Sequence, residues 1–236
     1  KLLSPDINTH NQLRREGQSE HLICKLIKED DLEGFQQLVT SQNYDIKRHI
    51  PYSVYETIDF VNTHTNMPTL IEYAAFHGSV NVFKYLLMTL QSKQIMLPVS
   101  LPVYAAAGGN YDIIHLVEGC INTLDNNPDD DLDDNDDFSF YKYLRMKRTL
   151  RFTSPQVIDA CIEFHRNDVL DYLVDNYPEI QKRLRETQTL TTAVSFLNFR
   201  IMLMFLDRNV PVVHEEEEEK NEMVQEITKL LIIDEE

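Results

Sequence analysis

Residues 69–87, TLIEYAAFHGSVNVFKYLL, have the hydrophobic spacing of two short helices. In the first half Ile71 and Ala75 lie four positions apart, and the second half repeats this spacing, so each helix has one apolar face. Gly78 stands between the halves, where a residue must leave the helix at positive φ. Helices of about eight residues are marginally stable alone. The pattern therefore predicts neighbouring copies that bury these faces.

Four other segments align with this one without gaps. They are residues 26–39, 100–118, 161–174 and 193–206. Equivalent positions are Glu33, Asn81, Asp112, Asp168 and Arg200, which lie 48, 31, 56 and 32 residues apart. Two of these steps are close to the length of an ankyrin repeat, about 33 residues. The other two steps therefore contain insertions.

Residues 69–87 resemble the ankyrin signature, with a Thr start, an Ala-Ala pair, a Gly turn and a paired-Leu ending. The phrases DDLEGFQQLV, PTLIEYAAFHGSVNVFKYLL, AAGGNYDIIHLVE and IEFHRNDVLDYLV resemble, in this order, a large ankyrin family expanded in parasitic protists. The resemblance covers about residues 20–207. It implies an all-α fold, a right-handed α-solenoid of about five degenerate ankyrin-like helix-turn-helix repeats with inserted loops. In the fifth copy Leu197 stands where Gly is expected.

Three regions follow from this alignment: an N-terminal extension (1–19), the repeat region (20–207) and an acidic C-terminal segment (208–236). The insertion after the first copy contains several aromatic residues, and we expect a folded loop with a short helix at 54–61. The C-terminal segment has apolar residues at helical spacing, which are Met223, Ile227, Leu230 and Leu231. We predict a C-terminal capping helix that covers the fifth repeat, and a free partner-binding helix is the alternative.

The net charge of −17 is concentrated in two segments. Residues 125–137 contain eight Asp, and residues 215–236 contain ten acids and two Lys, so each segment carries −8 and the remainder −1. Nucleic-acid binding is not expected, because it needs a basic face. The run 125–137 lacks the Gly and Glu spacing of a calcium loop and is interpreted as a solvated acidic loop. No membrane association is predicted, since no apolar run approaches the roughly 18 residues of a membrane span.

A basic stretch follows the acidic loop at residues 138–152. Its bases alternate with aromatic residues and are Lys142, Arg145, Lys147, Arg148 and Arg151. The spacing favours an amphipathic helix whose long charged side chains reach solvent. A secondary patch that binds a partner protein is the second interpretation, and a nucleic-acid surface is the third.

The three cysteines, Cys24, Cys120 and Cys161, are odd in number and far apart, and no Asn-x-Ser/Thr sequon occurs. Both features are typical of a reducing compartment, so we expect an intracellular, cytoplasmic protein. Cys161 and His165 have the spacing of two metal ligands on a helix. A structural zinc needs four ligands, so we predict no metal or cofactor, and a buried Cys161.

No Walker loop, dinucleotide fingerprint, zinc-protease motif or nucleophile elbow is present, so the sequence favours a non-catalytic protein without a small-molecule substrate. The ankyrin resemblance implies an adaptor or scaffold that binds another protein through its concave face. In four of the copies, the two residues directly before the turn residue are expected to line that face. They are Phe76, His77, Ala107, Gly108, Glu163, Phe164, Ser195 and Phe196. The alternative is a structural subunit of a large assembly, which contacts its neighbours through the inserted loops.

Overall fold

The computed structural model describes residues 7–17, 19–63, 67–126 and 150–207. Within these ranges the regular secondary structure is helical and includes no β-strand, so the predicted all-α class is confirmed. The chain divides into two compact units, residues 1–151 and 152–236. The predicted repeat region, 20–207, is therefore shared between two units.

Six helices of the first unit form two rows. Its elements are α1 (Ile7–Glu16), α2 (Leu22–Lys28), α3 (Leu32–Ser41), α4 (Leu70–His77), α5 (Val80–Ser92), α6 (Leu101–Gly108), α7 (Tyr111–Asn126) and a 3-10 helix (Asp59–Val61). Helix α4 packs on both α2 and α6, and α5 packs on both α3 and α7. The first helices of three successive pairs thus form one row and the second helices form the other, with the apolar faces buried between them.

The second unit contains two further pairs. Its helices are α8 (Pro155–Glu163), α9 (Asn167–Asn176), α10 (Pro178–Arg183), α11 (Thr187–Ser195) and α12 (Phe199–Asp207). Helix α8 packs on α9 and α11, and α11 packs on α12. Helix α10 was not predicted from the sequence. It begins at Pro178, and proline suits a first helical position because it has no N–H to leave unpaired.

Every pair turns through one residue with positive φ. These residues are Asp30 (52°), Gly78 (70°), Gly109 (73°), His165 (52°) and Leu197 (52°). Each lies three positions before one of the equivalent positions of the sequence alignment, which are Glu33, Asn81, Asp112, Asp168 and Arg200. After four of the turns, the next N–H donates to the carbonyl five residues back, at 2.7 to 3.0 Å, as in the Schellman motif. The chain therefore makes the same turn with and without glycine.

Helix α4 approaches α6 very closely at Gly108. A Cβ at this position would lie 2.3 Å from the carbonyl oxygen of Ala75 and 2.7 Å from that of Phe76. Real Cβ atoms do not approach backbone so closely. The two helices can pack in this way only because position 108 has no side chain.

Two local predictions need correction. The helix expected at 54–61 is limited to the 3-10 turn Asp59–Val61. Before this turn Ile58 has an extended backbone, and the Glu56 carbonyl accepts a hydrogen bond from the Asn62 side chain at 2.9 Å. Asp125, assigned to the acidic loop, lies in α7, because this helix continues to Asn126.

Other predictions lie outside the described residues. These are the acidic loop from residue 127 to 137, the bases Lys142, Arg145, Lys147 and Arg148, and the C-terminal segment with its predicted cap. Arg151, the last base of the stretch, is described and is exposed. In the part of the chain that the structure covers, no helix is both long and apolar enough to cross a membrane.

Candidate interaction surfaces

The insertion between α3 and α4 is anchored by a buried ion pair. The Glu56 side chain, which is 2% exposed, accepts a hydrogen bond from Lys28 Nζ at 2.8 Å. The Tyr73 hydroxyl of α4 donates to the same Glu56 oxygen at 3.2 Å. Burial is the main reason why the pKa of Tyr73 is raised, and the neighbouring Cys24 and Glu56 add to the shift. The carboxylate thus links α2 and α4 to the inserted segment.

This anchor positions an aromatic side chain against α4 and α6. The Asn62 side-chain nitrogen donates to the Glu56 carbonyl at 2.9 Å, which closes the loop around the 3-10 helix. Phe60, in this 3-10 helix, has its ring centroid 5.6 Å from that of Phe76 and 5.0 Å from that of Tyr104. These three rings are called the aromatic cluster below. Phe60 and Phe76 are half-buried, whereas Tyr104 is buried.

His77 lies next to the aromatic cluster. Its ring meets that of Tyr73 edge to face at a centroid distance of 4.4 Å and that of Phe76 at 5.0 Å. Its Nε2 atom is buried and has no hydrogen-bond partner among the residues that the structure describes. Desolvation, with a smaller effect of the Lys28 charge, lowers the pKa of His77 to about 3. The imidazole is therefore neutral near pH 7 and acts as a packing group.

Two of the nominated site residues are used between helices. Ala107 is fully buried, so its side chain contributes no accessible surface. Gly108 lies against the carbonyl oxygens at the end of α4, as described above. The close approach of α6 to α4 thus leaves Ala107 buried and Gly108 half-buried.

The four nominated residues of the second unit differ in exposure. Glu163 and Phe164 are half-buried, and burial, followed by the charge of Asp159, raises the pKa of Glu163. Ser195 is exposed, and its hydroxyl donates back to the Thr191 carbonyl at 2.9 Å. Phe196 is 39% exposed. The last pair therefore offers more open surface at these positions than the pair before it.

A second surface lies on the last helix pair. The sequence predicted that this pair is covered by a C-terminal cap, but it did not identify the residues of the surface. Leu197, Phe199 and Leu203 are 50%, 41% and 45% exposed, and we call them the apolar patch. Leu197 is the turn residue before α12, and the other two lie four positions apart on that helix. The sequence of α12, FRIMLMFLD, is apolar on nearly every side. A helix that is apolar on nearly every side is expected to bury more than one face. This feature of the sequence could have indicated the apolar patch.

The three cysteine thiols are buried and free. Burial raises the pKa of Cys24 to about 11 and that of Cys161 to about 12, and it also raises the pKa of Cys120. The predicted burial of Cys161 is confirmed. Across the described ranges, no three His, Cys, Asp or Glu side chains form a group that could hold a metal ion.

Comparisons of the chain with protein-family models, with curated proteins and with solved structures find no match. The class that the fold defines is an all-α protein of paired helices.

Proposed function

We propose that this protein is a non-catalytic protein-binding module, an adaptor or scaffold whose helix pairs are ankyrin-like repeats. Each pair buries one apolar face against its neighbours and turns through a residue at positive φ, which supports the repeat assignment. Each unit is then a short stack of such repeats, with three pairs in the first and two in the second. Stacked pairs leave the turns and one row of helices available to a partner.

The aromatic cluster is the observation that carries this proposal. Phe60 and Phe76 are half-buried, and Phe60 comes from a loop that a buried ion pair fixes to α2 and α4. Rigid aromatic side chains bury a large area on binding and lose little conformational entropy, so they often act as interface anchors. Phe60 of the insertion thus adds an aromatic anchor beside Phe76, which belongs to helix α4.

The cysteines support a non-catalytic role. A thiol acts as a nucleophile in its thiolate form. Each of the three thiols is buried and has a raised pKa, so each is protonated near pH 7. Among the described residues, the strongest potential nucleophiles are therefore inactive.

The test is quantitative affinity capture with the full chain as bait, using cells of the source organism and a chemical crosslinker. The variants Phe60→Ala and Phe76→Ala should reduce the yield of the captured partner about tenfold, the equivalent of roughly 1.4 kcal/mol for an anchor residue. Met88→Ala is the matched control, since Met88 is 70% exposed on α5, in the other row of helices. Circular dichroism and the unfolding midpoint show whether each bait remains folded.

Unchanged capture by folded Phe60→Ala and Phe76→Ala baits would exclude the aromatic cluster as the binding site. The variants Phe164→Ala and Phe196→Ala test the positions nominated in the second unit by the same measurement. Deleting residues 127–137 tests the alternative, a structural subunit that contacts its neighbours through inserted loops. Loss of incorporation into a large complex after this deletion, with capture by the aromatic cluster unaffected, would favour that alternative.

A further inference from the structure

The last helix pair is apolar at a surface position where the other pairs are polar. The sixth residue after the turn residue is Gln36, Lys84, His115, Asp171 and, in the last pair, Leu203. Leu203 is 45% exposed, and Phe199 precedes it by four positions on the same helix face. Leu197 adds a third apolar side chain at the turn. Single exposed apolar residues are ordinary, but contiguous ones mark a surface that is covered by another group.

A groove lies between α12 and the segment that contains α9 and α10. It has a volume of about 110 Å³, and its apolar lining comes from Val174, Leu184, Met204 and Phe205. A cavity of about 150 Å³ holds a benzene molecule, so this groove has room for roughly one aliphatic side chain. Asp171 and Arg185 also line it. Asp171 pairs with Arg200 at 2.5 Å, whereas Arg185 makes no ion pair with any described residue.

We propose that the apolar patch and this groove bind the C-terminal segment of the same chain, residues 208–236. The segment follows α12 directly, since that helix ends at Asp207. Its apolar residues have the spacing of one helix face and are Met223, Ile227, Leu230 and Leu231. The ten acids and two lysines between residues 215 and 236 give this segment a negative charge that complements the positive charge of Arg185.

The chain is long enough for this contact. Sixteen positions separate Asp207 from Met223, and an extended chain of that length spans up to about 50 Å. Covalent attachment also holds the segment at a local concentration in the millimolar range. A second copy of the chain or a different protein would need to compete with that concentration. The proposal is independent of the proposed protein-binding function.

A photocrosslinking amino acid tests the contact in the full chain. Benzoylphenylalanine in place of Leu203 should give, at low micromolar protein, a product within one chain that maps by mass spectrometry to residues 215–231. The same probe in place of Lys84 is the matched control, because Lys84 is the equivalent position of another pair, and it should give no such product. The double substitution Ile227→Asp and Leu230→Asp should lower the yield from position 203 at least tenfold.

A product between two chains, a product elsewhere in the chain, or a yield unaffected by the double substitution would overturn the proposal. Hydrogen exchange of the chain without the probe gives a second, independent readout. The amides of α12 should exchange several-fold faster in the Ile227→Asp, Leu230→Asp variant than in the native protein. Equal exchange rates would also overturn the proposal.

Discussion

Asn198 donates a hydrogen bond from its side-chain nitrogen to the carbonyl oxygen of Ile162, over 3.1 Å. Asn198 directly follows the turn of the last helix pair, and Ile162 lies three residues before the turn residue of the preceding pair. The bond therefore joins consecutive pairs at their turns. Both residues belong to the second unit. Because Asn198 is fully buried, the bond is shielded from water.

Ser79 makes the same contact in the first unit. Its hydroxyl donates to the carbonyl oxygen of Ile27 at 2.5 Å. Ser79 also follows a turn residue, and Ile27 also lies three residues before the turn residue of the preceding pair. Two different side chains thus satisfy an equivalent carbonyl, which is a stronger sign of repetition than either residue alone.

The first prediction concerns this bond. Asn198→Ala should lower the free energy of unfolding by about 1–3 kcal/mol, because the buried Ile162 carbonyl keeps only the His165 N–H as a donor. The bonds of the Asn198 side chain to Asn167 Oδ1 and from the Ile201 N–H are lost as well. Urea denaturation followed by circular dichroism measures the change. Asn176→Ala is the control, since the Asn176 side chain donates to the Tyr172 carbonyl at an exposed site, and its cost should stay below about 0.5 kcal/mol. Equal losses of unfolding free energy in the two variants would show that the bond between helix pairs stabilises the fold no more than an exposed bond within one helix.

The second prediction concerns turn residues other than glycine. His165 has φ of 52° and is exposed. His165→Gly should stabilise the fold by about 0.5–1 kcal/mol, because the relief of left-handed strain exceeds the extra chain entropy of glycine. Thermal and urea denaturation of the two proteins measure this gain.

Asp30 has the same φ, but its substitution should have the opposite effect. Its carboxylate accepts hydrogen bonds from Asn81 N, Asn81 Nδ2 and Val82 N at 2.9 to 3.1 Å, and so caps the start of α5. Asp30→Gly should therefore cost about 1–2 kcal/mol in the same assay. A stabilising Asp30→Gly would mean that backbone strain outweighs the cap.

The third prediction concerns the ion pair that anchors the insertion. Glu56→Gln should cost about 2–3 kcal/mol, because Lys28, whose side chain is 16% exposed, is left without its counter-charge. The double variant Lys28→Met, Glu56→Gln should recover much of this loss, since no unpaired charge remains. Urea denaturation of both single variants and the double variant gives the coupling energy, and strictly additive effects would contradict the pairing.

The fourth prediction concerns acid sensitivity. The pKa of His77 is about 3 in the folded protein and about 6.5 in an unfolded chain. Between these two pH values the unfolded state therefore binds more protons than the folded state. The stability that neutral His77 contributes is fully present above pH 6.5 and is lost as the pH falls toward 3. From pH 6.5 to 4.5 the native protein should lose about 2 kcal/mol more than His77→Phe. Parallel stability curves for the two proteins would refute a buried neutral His77.

Part of the fold could be predicted from the sequence. The spacing of apolar residues located the helix pairs, because each helix must bury one face whatever the tertiary detail. Turn positions were also found without glycine, since Asp30, His165 and Leu197 align with Gly78 and Gly109. Helix α10 was missed because residues 178–183 are too few to show a helical period.

The candidate surfaces were harder to predict. Phe60 meets Phe76 in a loop that the pairing of Glu56 with Lys28 helps to hold, and no local pattern encodes a pairing across 28 positions. Ala107 and Gly108 were assigned to an open face by analogy with the other turns. The run AAAGG at 105–109 is a usable signal for the true arrangement. Small side chains in succession allow two helix backbones to approach closely, and here they do.

The anchored insertion has a consequence for how such a protein can change over time. Residues 42–67 lengthen one connection, yet α2 and α4 still pack together. The stacking of pairs thus tolerates added chain, provided that a buried pair such as Lys28 and Glu56 secures it. A connection can therefore change its length and its surface residues while the helices beneath it stay the same, so the helical framework and the proposed binding surface can evolve separately.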